Sequence, residues 1–71
     1  MFNVIQKDPD ILGGTPVFRG TRVPIATLFD YIEGEETIDD FLEDFPTVSK
    51  TQVLELLEHL KGQAIQPTKA A

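Results

Sequence analysis

With 71 residues the chain has room for one small domain, and a single core of that size supplies only ~3–5 kcal/mol unaided. There is no cysteine, which excludes disulfides and zinc–thiolate centres and leaves self-association as the remedy for a thin core. A net charge of −6 repels nucleic acid at long range and favours a basic protein partner.

That charge is unevenly placed. Residues 1–24 set Lys7, Arg19 and Arg22 against Asp8 and Asp10, residues 25–62 set Lys50 and Lys61 against ten carboxylates, and Lys69 stands alone near the end. No apolar run approaches the ~18–20 residues of a membrane span, and MFNVIQKDPD lacks a basic stretch followed by an apolar one, so the expectation is a soluble cytoplasmic protein.

From the N-terminus, Phe2, Val4 and Ile5 predict a short strand and Asp8-Pro9-Asp10 a turn. Pro16-Val17-Phe18 and Thr21-Arg22-Val23 read as two extended pieces around Arg19-Gly20. A type II turn there needs positive φ only at Gly20, whereas type I′ would force it on Arg19 as well. Gly13-Gly14 permit a further turn.

Three amphipathic helices follow. Ile25, Leu28, Phe29 and Ile32 fall at helical spacing over residues 24–34, with Pro24 in the first turn and Gly34 at the end. Ile38, Phe41, Leu42 and Phe45 repeat the spacing over 37–45, with Thr37 as N-cap, Asp39 and Asp40 at the positive end of the helix dipole, and Pro46 as the stop. The third set is Val53, Leu56, Leu57 and Leu60, opened by a Ser49/Gln52 capping box and a Val48/Val53 staple, with Gly62 as its expected end. The chain thus reads as a mainly α domain over 1–62, with β segments and turns in 1–23, three helices in 24–62, and a flexible tail over 63–71.

Catalytic chemistry is hard to build from these residues. GGTPVFRGTRVP resembles a phosphate-binding loop, but five residues separate Gly14 from Gly20 and no lysine follows. His59 is the sole histidine and lies beside Glu55 and Glu58, where a solvated side chain is the plain reading. Asp39, Asp40, Glu43 and Asp44 lack EF-hand spacing and read as a solvated helix flank rather than a magnesium site. No enzyme activity, cofactor or metal is expected.

The second and third helices have the lengths and connection of a helix-turn-helix unit. Its second helix would present Ser49, Lys50, Thr51 and Gln52 to a major groove. The same pattern also suits ordinary helix packing, and Glu55, Glu58 and the acidic second helix have the wrong sign to face phosphate.

The run DPDILGGTPVFRGTRVPIATLFDYIEGEETIDDFLEDFPTVSKTQVLELL resembles the domain-of-unknown-function family 433. Its signature is carried here by Gly13, Gly14, Pro16, Gly20, Thr21, Arg22, Pro24, Gly34 and Phe45-Pro46. The resemblance implies a three-helix, homeodomain-like helix-turn-helix domain fronted by short β segments. It further implies an antitoxin that binds and silences a PIN-like ribonuclease toxin, with autoregulation through operator DNA left open. A homodimer, paired through a β edge, would serve a palindromic operator. Arg19, Arg22 and Lys69 are the candidates to reach the toxin, and Arg22 has a second reading as a brace to the acidic helices. The acidic helices depart from what tight DNA binding needs. A helical protein-interaction module, or a transcriptional regulator without a toxin, is the alternative.

Overall fold

The computed structural model describes residues 3–65. Strand β1 (Ile5–Gln6) pairs antiparallel with β2 (Val17–Phe18), Ile5 opposite Phe18 and Gln6 opposite Val17. On the other side of β2, Val17 bridges to Pro24, and the Phe18 N–H donates to the Val23 carbonyl at 3.0 Å. The two extended pieces expected around Arg19-Gly20 therefore fold back on one another. Phe2, expected in the first strand, lies outside the described residues.

Between the strands, Asp8 closes the expected turn, accepting from the Asp10 N–H at 2.9 Å through its side chain and from the Ile11 N–H at 2.8 Å through its carbonyl. A 3-10 turn over Leu12–Gly14 follows.

Helix α1 (Ile25–Glu33) starts after Pro24, which is its N-cap and not part of the first turn as expected: its φ of −62° suits the helix, but its ψ of 142° is extended. Leu28 is fully buried and Phe29 half-buried, as the spacing predicts, but Ile32 is 42% exposed. Tyr31 takes its place: its ring meets Phe41 edge-on at 5.4 Å and Phe45 at 5.9 Å. The buried stripe thus turns from Leu28 toward Tyr31, because the aromatic side chains of α2 lie on that side. The helix closes with Gly34 at the cap. The Glu35 N–H donates to Ile32 and the Glu36 N–H to Tyr31, which leaves Glu35 in the left-handed region at φ 63°.

Helix α2 (Ile38–Asp44) opens with a complete capping box. Thr37 Oγ1 accepts from the Asp40 N–H and Asp40 Oδ2 from the Thr37 N–H, each at 3.0 Å. Phe41 is fully buried at the centre of the molecule, 5.9 Å from the Phe18 ring and 5.2 Å from that of Phe45.

Helix α3 (Lys50–Ile65) opens with the predicted second box: Ser49 Oγ accepts from the Gln52 N–H at 3.1 Å, and Gln52 Oε1 from the Ser49 N–H at 3.0 Å. Val48 and Val53 are both buried beside it. The expected end at Gly62 is corrected, since the helix continues to Ile65 and takes in residues 63–65 of the expected tail. A mid-helix glycine costs only ~1 kcal/mol relative to alanine, and no reversing cap forms there to enforce a stop. Residues 66–71 lie outside the described residues.

The core joins the hairpin to all three helices: Val4, Phe18, Val23, Leu28, Phe41, Val48, Val53 and Leu56. Burying an aromatic or leucine side chain of this kind contributes about 1.5–3 kcal/mol. The molecule is thus a mainly α domain of three helices fronted by two short strands.

Candidate functional site

The segment from Phe18 to Pro24 is the most heavily braced loop of the domain. The Thr21 N–H donates to the Phe18 carbonyl at 2.9 Å, and Gly20 sits at φ 78° while Arg19 does not share the positive φ. This is the type II turn the sequence predicts. Buried Thr21 locks it: its hydroxyl donates to the Phe18 carbonyl at 2.7 Å and accepts from the Val23 N–H at 3.0 Å.

Two glutamines hold the turn from opposite sides. The Gly20 N–H donates to Gln6 Oε1 at 3.1 Å, and Gln52 Nε2 donates to the Arg19 carbonyl at 3.0 Å. Gln52 therefore caps α3 with its oxygen and ties α3 to the turn with its nitrogen. Of the four residues predicted to face DNA, Ser49 and Gln52 are engaged within the fold, while Lys50 and Thr51 are exposed.

Arg19 is also engaged. Its Nε donates to the Asn3 carbonyl at 2.8 Å and its Nη2 to the Ile5 carbonyl at 3.0 Å. The Arg19 N–H bonds Val4 at 2.7 Å, and antiparallel pairing alternates the direction of backbone groups, so the Asn3 and Ile5 carbonyls face away from β2. The guanidinium thus caps the outer edge of β1, which is the edge a second strand would need.

Arg22 differs from its neighbours. It is exposed and makes no hydrogen bond or ion pair among the described residues, so the salt bridge to the acidic helices considered from sequence does not form. It stands at a groove of about 620 Å³ walled by Ile11, Val23, Pro24 and Phe45, with Thr47 on the rim. Lys69 lies outside the described residues.

The remaining signature residues serve the backbone. Pro16 accepts from the Ile25 N–H at 3.0 Å, anchoring the start of α1. Leu12, Gly13 and Gly14 form three successive positive-φ residues, secured by the Thr15 hydroxyl donating to the Leu12 carbonyl at 2.8 Å. A side chain at Gly34 would come within 3.1 Å of the Asp30 carbonyl. Pro46 follows α2, and the Val48 N–H then closes a turn onto the Phe45 carbonyl at 3.0 Å.

A second surface is electrostatic. Asp30, Glu33, Glu35, Glu36, Asp39, Asp40, Glu43 and Asp44 are all exposed, and no Lys or Arg occurs between Arg22 and Lys50. Two groups on this surface titrate abnormally. The Tyr31 hydroxyl donates to Asp44 Oδ2 at 2.6 Å, and this bond, with partial desolvation and the charges of Asp44, Glu36 and Asp40, pushes its pKa up to about 12. The Asp40 carboxyl is held below its ordinary value by the Thr37 backbone N–H and hydroxyl. Among the described residues, no three acidic or histidine side chains converge to hold a metal ion. His59 is half-buried and has an interaction partner. No helix among the described residues is long and apolar enough to cross a membrane.

The chain is thus a small mainly α domain, three helices fronted by two short strands and a braced glycine-threonine-arginine turn. Residues 5–59 match the family described as a protein of unknown function, DUF433, and the chain belongs to that family. It is also similar to the Sinorhizobium fredii (strain NBRC 101917 / NGR234) protein named "Uncharacterized protein y4eO", with 36% identity over 50 residues. That alignment covers 70% of this chain and 23% of the relative, so the chain spans under a quarter of that protein's length. No solved structure matches the chain.

Sequence reasoning missed the braces from Gln6, Gln52 and Arg19. Their partners lie 14, 33 and 14–16 residues away, and no local spacing encodes such contacts.

Proposed function

We propose that the domain is a non-catalytic antitoxin that binds a PIN-like ribonuclease and silences it by covering its basic RNA-binding channel. The family resemblance supplies the partner. The observation that carries the reading is the exposed run of eight carboxylates from Asp30 to Asp44, uninterrupted by any cation. Such a surface complements a basic channel and speeds encounter with it.

DNA contact ranks second. The α2–turn–α3 order and the exposed Lys50 and Thr51 favour it, but Ser49 and Gln52 are held in the capping box and the domain's net charge opposes phosphate. If the protein dimerises, the Arg19 cap on β1 directs the contact to a helical face rather than to strand addition.

The test uses the product of the adjacent reading frame. The reading predicts that this product is a PIN-like ribonuclease, that it co-elutes with the domain on size exclusion, and that RNA cleavage stops near equimolar ratio. An equimolar mixture that gives neither a complex nor reduced cleavage overturns it. An operator-binding role predicts a shifted promoter fragment whose affinity falls steeply with salt.

A further inference from the structure

The groove beside Arg22 asks for an occupant of different chemistry from the one the acidic helices attract. Its walls are apolar, from Ile11, Val23, Pro24 and Phe45, and its charge comes from one guanidinium. The chain has twelve carboxylates, yet none pairs with Arg22 among the described residues. The turn that carries Arg22 is fixed by Gln6, Gln52 and Thr21, so little backbone ordering is required when a ligand arrives.

We propose that this groove docks a segment of the partner protein in which a carboxylate neighbours a large apolar side chain. Arg22 takes the carboxylate through its planar fork, and the apolar walls take the side chain. Leu12, half-exposed at the end of the loop that carries Ile11, adds apolar surface close by in sequence. A polyanion fits less well, because the lining is mostly apolar and the surrounding domain is acidic. The proposal rests on the protein-binding reading and gives that partner a second contact, distinct from the acidic face of α1 and α2.

The probe is a library of phage-displayed random heptapeptides selected on the full chain. The best peptide is then synthesised and titrated against the wild type, Arg22→Gln and, as a control on the acidic face, Glu36→Gln. Selection is expected to enrich Asp or Glu next to Leu, Ile or Phe. Arg22→Gln should weaken binding roughly tenfold or more, the scale of a hydrogen bond to a charged group, while Glu36→Gln leaves it unchanged. Amide shifts on peptide addition should centre on Ile11, Val23 and Thr47. Neither the Arg22 nor the Glu36 side chain makes a hydrogen bond or ion pair among the described residues, so both variants should melt with the wild type; in peptide affinity Arg22→Lys, which keeps the charge but loses the fork, should fall between Arg22→Gln and the wild type. No enrichment, a basic consensus, equal affinity for Arg22→Gln, or a second copy of the chain as the only binder overturns the proposal. Ribonuclease inhibition read in parallel separates the two claims: inhibition by the wild type, when no selected peptide depends on Arg22, sinks the groove and leaves the antitoxin reading standing.

Discussion

Arg19 and Arg22 look equivalent in the sequence, two cations flanking a Gly-Thr pair, and the fold treats them oppositely. The backbone carbonyls of Asn3 and Ile5 take up Arg19, whereas Arg22 is left on a rigid turn facing an apolar groove. The need for positive φ at Gly20 was legible because it follows from steric rules within four residues. The fate of the arginines was not, because it depends on where β1 ends up. Tyr31 offers the clearest check at this scale, being the only tyrosine in a chain without tryptophan. Its folded pKa of about 12 exceeds the ordinary 10.0, so its bond to Asp44 contributes fully below pH ~10 and is lost as pH rises through about 12. Absorbance at 295 nm should therefore show native ionisation centred near 12, moving toward 10 in Asp44→Asn. A wild-type midpoint near 10 would show that the bond does not form in solution.

At the scale of elements, starts were easier to read than stops. Both predicted N-terminal caps form, because Thr37 and Ser49 reach only three residues ahead for their partners. The end predicted at Gly62 failed for lack of a local signal as strong. The left-handed residue that does terminate a helix is Glu35, one place after Gly34, and not a glycine at all. Within α1, the helical period was right but Tyr31 displaces Ile32 from the core, since the period alone does not say which of two adjacent rows meets the rings of α2. Gly62→Ala distinguishes the two accounts of α3. As an exposed interior position with nothing within 4 Å of the added methyl, Gly62 should tolerate the change, and the variant should gain about 1 kcal/mol in chemical denaturation. A capping glycine would instead lose stability on the same substitution.

On the scale of the whole molecule, charge and fold divide the labour. The hairpin and the core-facing helix rows hold the domain together, while the outer flanks of α1 and α2 and the loop joining them carry acidic side chains, most without a partner among the described residues. The sequence displayed that asymmetry directly, because net charge needs no tertiary information. Where the two arginines go did need the fold, since only the structure shows Arg19 withdrawn to the strand edge and Arg22 on the groove. The acidic surface is the face proposed to silence a ribonuclease. The test compares the wild type with a variant carrying Glu33→Gln, Glu36→Gln, Asp39→Asn and Glu43→Gln, in titrations against the ribonuclease proposed as its partner, with RNA cleavage as the readout. Among the described residues these four side chains make no hydrogen bond or ion pair, so the variant should keep its fold and its melting temperature. Inhibition near equimolar ratio is expected of the wild type and at least tenfold weaker inhibition of the variant, with the gap closing as salt rises. Equal inhibition by both proteins at low salt would contradict it.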